Sequence, residues 1–472
     1  MPEEIREIAF FAGGQTLIHP FTLALTLGLG VSLLVVPRRW ALLPLCVTAC
    51  FVPMQHRIVL GGLDFDMGRI MILFGWARVF LRKEHRQLTP TSLDKVFVTW
   101  LGVGTLFYCL RVLSIDALIF RAGALFDGLG MLFLCRMLVR DHRDVLRTIE
   151  IMCWIAVLMS PFLVYESQTG HNLFSVLGGV NEYSVVRNGR VRAQGAFAHP
   201  IMAGAVGATL FPLAIALWRA RPANRLTAAA GVGGSMILTL APASSGPLLA
   251  GITAAIGWGL WSVRRYMRHF RWSGLAMIVV LHFIREKPVW HLIGRASDFF
   301  GGTGWHRYAL IDAFINGWRE WILVGTDSTA GWGWGLEDLT NQFVLEGVNG
   351  GLVTLIAFIA LVVASFVSVS RVLRRAAVAR WLPREERRAV RALAWGLGVA
   401  MAAHCTSWIS VSYFGQTQLI LYLHLALIAA LQNDPALGLR VVRERRSART
   451  PERRRSGRRE HGGRASPREP AA

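Results

Sequence analysis

The sequence predicts an all-α, polytopic integral membrane protein with about 12–13 transmembrane helices and one large extracytoplasmic loop. The first observation is about thirteen apolar stretches that are long enough, or nearly long enough, to cross a bilayer. The second is composition: 53% of the 472 residues are hydrophobic and 17% are charged, whereas about a quarter of the residues in soluble domains are charged. The third is the net charge of +22, which is concentrated at the ends of the apolar stretches and in the C-terminal tail. This is not the charge distribution of a nucleic-acid-binding domain, so we expect no nucleic acid partner.

The predicted helices follow the apolar runs in chain order. A helix that crosses a bilayer needs roughly 20 residues, so the second and tenth runs are short for a span. The runs lie near 16–36, 41–54, 59–81, 95–113, 117–139, 146–166, 201–218, 226–242, 246–263, 272–284, 348–370, 391–409 and 416–432. They divide the chain into N-terminal helices with a first outer loop (1–200), central helices (201–284), the large extracytoplasmic loop (285–347), C-terminal helices (348–436) and a basic tail (437–472).

The connections between the runs predict the orientation of the helices. Alternate connections are rich in Arg and Lys, an excess that is typical of the cytoplasmic side. These connections lie at 38–39, 82–86, 140–147, 219–225, 264–271 and 371–391, and the basic tail continues the series. Both long loops therefore fall on the opposite side, and the tail is expected to be disordered in the cytoplasm beside anionic lipid. The acidic N-terminus lacks the pattern of a cleavable signal peptide, so we expect the first span to be retained.

The cysteines give no sign of redox or metal chemistry. All six lie within apolar runs and form neither a CxxC motif nor a metal-ligand spacing. We expect them to pack between helices as small apolar side chains. The loops also lack closely spaced Asp or His pairs, so neither a metal nor a cofactor is predicted.

The first outer loop carries positive charge on the side that normally avoids it. Arg187, Arg190 and Arg192 lie in this loop, and their position there indicates an anionic partner. Pro200 suits the first turn of a helix. Arg192 and His199 should then lie at the start of the seventh span, where a helix N-terminus beside guanidinium groups is suited to phosphate.

The large loop combines aromatic residues with charged ones. Its tryptophans suit either an interfacial belt or stacking against sugar rings. His306 and Arg307 lie in its middle, and Asp338 and Glu346 lie close to the eleventh span. Either carboxylate is a candidate general base or a solvated acid at the start of a helix.

A third set of ionisable residues interrupts the third run. Asp64, Asp66 and Arg69 fall within it, and charges at such a depth usually face a bundle interior or a water-filled cavity. They predict either a functional site or a structural Asp–Arg pair.

Three stretches between residues 192 and 351 carry a family resemblance. RAQGAFAHP at 192–200, followed by IMAGAVGA, has the pattern Arg-x-x-Gly-x-Phe-x-x-Pro at the start of a helix. GWHR at 304–307 precedes Asp312, and LTNQFVLEGVNGG at 339–351 contains a Gly-x-x-Gly pattern. In this order, and with many spans around them, these stretches resemble the O-antigen ligase and Wzy-type polysaccharide polymerase superfamily over roughly residues 190–432.

The resemblance implies a glycosyltransferase of exopolysaccharide or O-antigen biosynthesis in the bacterial cytoplasmic membrane. Such an enzyme polymerises or ligates polyprenyl-diphosphate-linked glycan units at the outer face of the membrane. Arg192 and Arg307, assisted by Arg187 or Arg190, would bind the diphosphate. The implied partners are the lipid-linked glycan, membrane lipid and other polysaccharide assembly proteins.

Two positions depart from the family pattern. Ser245 lies where the family has an arginine, and Thr340 lies where it has a histidine that is proposed to activate the acceptor hydroxyl. Either the base has moved or the chemistry has changed. The candidate replacements for the base are Glu346, Asp338, His199 and His306.

Two other functions remain open. A transporter or flippase for a lipid-linked sugar would also use loop arginines and intramembrane charges. It should carry charges through many spans, but after residue 348 the predicted spans contain almost none apart from His404, which favours surface catalysis. The departures at Ser245 and Thr340 leave a non-catalytic subunit of a polysaccharide export assembly as the third hypothesis.

Overall fold

The computed structural model describes residues 15–85, 88–299 and 304–438, which are mainly helical. Each of the thirteen predicted apolar runs contains most or all of a helix, which confirms the all-α prediction for this part of the chain. These helices are α1 (Pro20–Val35), α2 (Leu42–Phe51), α3 (Met67–Leu81), α4 (Ser92–Val112), α5 (Ile115–Leu138), α6 (His142–Thr169), α7 (Pro200–Ala220), α8 (Arg225–Leu240), α9 (Ser245–Gly259), α10 (Met267–Ile284), α14 (Gln342–Val378), α15 (Arg384–Trp408) and α16 (Gln416–Gln432). The predicted tail lies outside the described residues from residue 439 onward.

The region 285–347, predicted as a loop, contains helices of its own. They are α11 (His291–Phe299), α12 (Gly304–Asn316) and α13 (Trp318–Trp321), and α17 (Pro435–Gly438) follows α16 at the end of the described chain. Gly351, in the left-handed region at φ +70°, breaks α14 near its start. A Cβ at Gly351 would lie 2.5 Å from the Leu323 carbonyl oxygen, so glycine lets the segment after α13 pack directly on α14.

Six helical segments of the described chain are long and apolar enough to cross a membrane. They comprise α4, α5, α6, α7, α14 and the segment Gln416–Gly438. The pair α9 and α10 would make a seventh span, but the chain bends by 104° between them. The apolar helices α1 and α2 have only 16 and 10 residues, which is short for a bilayer of about 30 Å. These helices fit a multi-pass membrane protein.

The third predicted run begins as a hairpin rather than as a helix. β1 (Arg57–Leu60) pairs with β2 (Leu63–Asp66) around a turn of two glycines with positive φ. A Gly-Gly pair between short apolar segments is a hairpin signal. Asp64 and Asp66 therefore precede α3 instead of interrupting a span, which corrects the interpretation of this triad.

The charges beside this hairpin form ion pairs across helices. Arg69 donates from Nε and Nη2 to both carboxylate oxygens of Asp127 on α5, at 2.9 and 2.8 Å. Asp66 caps α3 by accepting the Arg69 backbone N–H at 2.8 Å. Within the triad the Arg69 Nε and Asp66 Oδ2 atoms lie 3.9 Å apart, and the closer carboxylate partner of Arg69 comes from another helix.

Side-chain contacts show which connections share an end of the bundle. At one end, here called the loop end, the connections around residues 192–199, 241–246 and 409–416 meet: Gln416 Nε2 donates to the Ala196 carbonyl at 2.7 Å. At the other end, the basic end, Arg38 pairs with Asp144 and His142 pairs with Asp434, each at 2.7 Å. The Arg38–Asp144 contact brings together two of the Arg-rich connections, 38–39 and 140–147.

The helix α7 occupies the middle of the bundle and begins at the loop end. It packs against α8, α9 and α15, and small residues allow the close approach. A Cβ at Gly207 would lie 2.7 Å from the backbone of Ser235 on α8. Small residues at helix contacts are the usual means of close packing in membrane proteins. This packing fixes the N-terminus of α7, beside which the candidate site lies.

Candidate functional site

Two buried arginines from distant parts of the chain meet at the loop end. Arg192 follows the short strand β4 (Arg190–Val191) and is 9% exposed, and Arg307 in the first turn of α12 is 7% exposed. Arg192 Nη2 donates to the Ser244 hydroxyl at 2.7 Å. Arg307 Nη1 donates to the Ser245 hydroxyl at 3.0 Å. Because Ser244 and Ser245 are consecutive, the two arginine side chains bind neighbouring residues.

The two serines form the start of α9. Ser244 is the N-cap residue and Ser245 is the first helical residue, so backbone N–H groups and the positive end of the helix dipole face the same place as the guanidinium groups. Ser245 occupies the position at which the family pattern has an arginine. The Ser245 hydroxyl contacts the arginines nevertheless, because it accepts a hydrogen bond from Arg307.

Arg192 is buried without a carboxylate partner among the residues that the structure describes. Its remaining contact is a 3.4 Å hydrogen bond from Nε to the Pro242 carbonyl. Burial and the nearby charge of Arg187 lower the pKa of the Arg192 guanidinium. A buried cation whose described partners are neutral oxygens is stabilised by an anion.

Arg187 and Arg190 lie opposite each other on an exposed hairpin. β3 (Val186–Arg187) pairs with β4 through a two-residue turn, Asn188-Gly189, in which both residues have positive φ. This is the geometry that an Asn-Gly pair favours, and it is a signal that the sequence contains. Both side chains are exposed, so the hairpin presents two like charges to the solvent-facing side of the cluster.

His199 is the N-cap residue of α7 and is the candidate base closest to Arg192 along the chain. Its Nδ1 accepts the Ile201 backbone N–H at 3.2 Å, so the ring proton lies on Nε2. Burial and the positive charges of Arg192 and Arg187 lower the pKa of the His199 imidazole from 6.5 to about 4. At neutral pH His199 is therefore an uncharged hydrogen-bond donor whose one lone pair is already used.

Glu166 holds the Arg192 segment in place and was not singled out from the sequence. It is 1% exposed, and its carboxylate accepts the backbone N–H groups of Gln194 and Gly195 at 2.9 and 2.8 Å and the Ser184 hydroxyl at 2.6 Å. Asn172 Nδ2 binds the Gly195 carbonyl at 2.9 Å. An acidic residue in the last turn of a helix opposes the helix dipole, and this was the available signal for Glu166 at the end of α6.

His306 and Asp338 also come together, although through the backbone. His306 Nε2 lies 3.2 Å from the Asp338 carbonyl oxygen. The Asp338 side chain is exposed. Because a carbonyl only accepts hydrogen bonds, Nε2 is the donor to Asp338, and in the neutral ring Nδ1 has the lone pair.

Glu346 is separated from this surface by its own hydrogen bonds. It lies inside α14 and is buried, and it accepts from Trp100 Nε1 at 2.9 Å and Gln342 Nε2 at 2.8 Å. Gln342 Oε1 in turn accepts the Tyr413 backbone N–H at 2.8 Å. These bonds satisfy a buried carboxylate and tie α14 to α4 and to the connection before α16.

Gly246 lies behind the two serines and is tightly enclosed. A Cβ there would lie 2.2 Å from the Ser410 Oγ. We expect Gly246→Ala to displace the first turn of α9 and to abolish anion binding by the arginine cluster, while the amount of protein in the membrane stays unchanged. Adding Ser410→Gly should restore much of the function, because it removes the obstructing atoms. Failure of this second substitution to rescue, with both variants folded by size-exclusion chromatography, would contradict the packing explanation.

Arg192 and Arg307 together form a cationic cluster at the start of α9. Arg187 and His199 lie near Arg192, and His306 precedes Arg307 in the chain. Within residues 15–85, 88–299 and 304–438 no three His, Cys, Asp or Glu side chains are grouped as metal ligands.

No protein-family model matches the chain, and a comparison with curated proteins finds no match.

Proposed function

We propose that the protein is a bacterial membrane glycosyltransferase that polymerises, or ligates, polyprenyl-diphosphate-linked glycan units in exopolysaccharide or O-antigen biosynthesis. The observation that carries this function is the convergence of Arg192 and Arg307 on the two serines that begin α9. In addition, three sequence stretches resemble the O-antigen ligase and Wzy-type polymerase superfamily. Membrane helices around the site suit a substrate with a lipid tail.

The reaction needs little beyond cations and a base. The acceptor hydroxyl oxygen attacks the anomeric carbon, the bond from that carbon to the diphosphate oxygen breaks, and the diphosphate leaves with the electron pair. Arg192 and Arg307 would stabilise the charge that develops on the leaving group, and Arg187 and Arg190 would attract it from solution. The hydroxyl proton passes to a general base.

We assign His306 as the base. Its Nδ1 lone pair is available while Nε2 is oriented by the Asp338 carbonyl, and an oriented neutral imidazole is the usual proton acceptor near neutral pH. The alternatives are less suited, because His199 uses its lone pair as a helix cap and Glu346 is enclosed by Trp100 and Gln342. The exposed carboxylate of Asp338 is the second candidate.

The number of membrane spans and their orientation are part of the same proposal. About 12–13 helices would cross the bacterial cytoplasmic membrane, with the shorter ones in a locally thinned bilayer. The loop end, including 285–347, would face the extracytoplasmic side, and the basic end and the tail would face the cytoplasm. The lipid-linked glycan, other membrane lipids and further polysaccharide assembly proteins would be its partners.

The decisive experiment is a gel ladder of cell-surface polysaccharide from a deletion strain complemented with wild type, Arg192→Ala, Arg307→Ala, His306→Gln or Glu346→Gln. We expect both arginine variants to lose long chains while single repeat units remain. The matched control is Arg319→Ala, since Arg319 is an exposed arginine of the same region, and it should leave the ladder unchanged. Membrane levels of every variant are measured in parallel.

The other outcomes separate the alternatives. Full-length polymer that stays on its lipid carrier indicates ligation, and an absence of single units at the cell surface indicates a flippase. The Arg69–Asp127 pair within the bundle is the observation that favours transport. Normal ladders from both arginine variants would overturn catalysis and leave a non-catalytic subunit.

A further inference from the structure

Three arginines from different segments of the chain lie together at the end of the bundle opposite the loop end. Arg219 lies in the last turn of α7, Arg264 in the short turn that follows α9, and Arg391 in the second turn of α15. Burial, and then the positive charges of Arg391 and Arg219, lower the pKa of the Arg264 guanidinium, so both cations lie close to it. Because α7 and α9 begin at the loop end, this arginine group lies at the basic end.

Tryptophan rings hold two of these arginines. The Arg219 guanidinium carbon lies 5.4 Å from the ring centroid of Trp258 and 5.7 Å from that of Trp261. The Arg264 guanidinium carbon lies 4.2 Å from the Trp261 centroid, and Arg264 Nη1 donates to the Trp261 carbonyl at 2.6 Å. Such cation–π contacts attract a guanidinium group to the face of a ring. Trp261 is therefore shared by both arginines and fixes where they lie.

The tryptophans are held in turn by neighbouring helices. Trp258 Nε1 on α9 donates to the Pro212 carbonyl of α7 at 2.9 Å. Trp395 Nε1 on α15 donates to the Gly257 carbonyl of α9 at 3.1 Å, and the Trp395 ring meets Trp261 edge-on with centroids 5.7 Å apart. The rings therefore form a fixed platform where α7, α9 and α15 meet.

None of the three arginines has a carboxylate partner within residues 15–85, 88–299 and 304–438. Other arginines of the basic end are paired with acids: Arg38 with Asp144 and Arg143 with Glu386. Like charges that lie close together disfavour one another. The three side chains are only half-buried, and a cation–π contact uses no N–H donor. An anion from outside the chain can therefore reach them, and it would relieve the repulsion.

Apolar surface adjoins the arginine group. Met267, the first residue of α10, packs beside the tryptophans, and α10 leaves the end of α9 at an angle of 104°. No residue of α10 is buried by the described part of the chain, and its apolar residues Leu275 and Phe283 are 51% and 81% exposed. An exposed apolar surface of this size marks a contact with membrane or protein. Cations beside such a surface match a phospholipid, in which a phosphate is joined to acyl chains.

We propose that Arg219, Arg264 and Arg391 bind the phosphate of an anionic phospholipid from the leaflet at the basic end, with its acyl chains along α9 and α10. Guanidinium groups donate paired hydrogen bonds to phosphate, and basic pockets between membrane helices bind anionic headgroups. A second copy of the chain suits this surface less well, because its net charge of +22 would bring more cations to it.

The lipid site is separate from the arginine cluster at the loop end. Arg192 lies beside the start of α9, whereas Arg219 lies at the far end of α7. Because α7 has 21 residues, its two ends are about 30 Å apart at roughly 1.5 Å per residue. The lipid site therefore does not depend on sugar transfer. A lipid that contacts all three arginines would stabilise the junction of α7, α9 and α15.

The test is native mass spectrometry of the purified full-length protein in detergent with added phosphatidylglycerol. We expect Arg219→Gln combined with Arg264→Gln to weaken phosphatidylglycerol binding about tenfold or more, because each arginine attracts the anionic headgroup. Phosphatidylcholine with the same acyl chains should bind much more weakly, since its headgroup has no net charge. The matched control is Arg39→Gln, an exposed arginine of the basic end, which should bind lipid like wild type.

Thermal unfolding in detergent separates lipid binding from folding. Phosphatidylglycerol should raise the unfolding temperature of wild type and of Arg39→Gln but not that of the double variant. Arg391→Gln changes only a half-buried surface charge, so it should fold normally and weaken binding several-fold on its own.

Three results would each overturn the lipid site. They are equal binding of both lipids by wild type, unchanged phosphatidylglycerol binding in the folded arginine variants, and an equal loss in Arg39→Gln, which would indicate attraction by overall charge alone. Arg192→Ala should retain phosphatidylglycerol binding. Since polysaccharide ladders are scored separately, failure of the lipid site and failure of the transferase function are distinguishable.

Discussion

Replacing Arg192 or Arg307 with alanine should weaken binding of inorganic diphosphate by about 10–100-fold, because hydrogen bonds to charged groups contribute roughly 1.5–3 kcal/mol each. The two arginines approach consecutive serines at the start of one helix, so a single diphosphate can contact both. Isothermal titration calorimetry on the detergent-purified protein measures this affinity directly. Binding by wild type should weaken with salt, as expected for an anion held by several cations.

The double variant adds a sharper test of the shared site. If both arginines bind one anion, Arg192→Ala combined with Arg307→Ala should weaken binding by a factor that differs from the product of the single effects. Arg307→Lys should retain part of the affinity, since lysine supplies the charge without the planar fork. The exposed Arg319→Ala serves as the control. Unchanged affinity in both single variants would show that the cluster does not bind diphosphate.

The second large effect is expected at Glu166. Glu166→Gln should destabilise the protein by about 2–4 kcal/mol and abolish diphosphate binding, because a charged acceptor of three hydrogen bonds is replaced by a single amide oxygen. The amide NH2 group would face the N–H group of Gln194 or Gly195, which are both donors. Thermal unfolding in detergent measures the loss of stability, and calorimetry measures the loss of binding.

Glu182→Gln is the matched control for this substitution. Glu182 belongs to the same connection, but its side chain is 60% exposed and lies 3.5 Å from His171. A surface pair of this kind contributes little to stability, so the variant should unfold like wild type. If Glu166→Gln unfolded at the same temperature as this control, the Arg192 segment would not depend on the Glu166 carboxylate.

The helices were predictable because burial in lipid or in a helical bundle requires long apolar runs. Each of the thirteen runs contains a helix, but the helix of the third run is shorter than predicted, because residues 57–66 form the hairpin of β1 and β2. The glycine pair at 61–62 marked that turn. Hydropathy does not describe side-chain packing. It therefore could not predict the short lengths of α1 and α2 or the 104° bend between α9 and α10.

The arginine pair was predictable as a set, but its geometry was not. The family resemblance assigned Arg192 and Arg307 to one diphosphate site, and in the structure the two side chains donate to the consecutive residues Ser244 and Ser245. Glu166 was missed because its hydrogen-bond partners come from the connection that follows α6. Such hydrogen bonds follow from the tertiary contacts of single atoms, and no spacing along the chain encodes them.

The hairpin that carries Arg187 and Arg190 has a thermodynamic consequence. Like charges directly opposite each other destabilise a two-stranded pair, and only a two-residue turn and two short strands hold this one together. An anion that bridged the two guanidinium groups would remove the repulsion and stabilise the folded hairpin by mass action. Under the proposed function, ligand binding and local folding would then be one linked equilibrium, and part of the binding free energy would be spent on ordering the polypeptide.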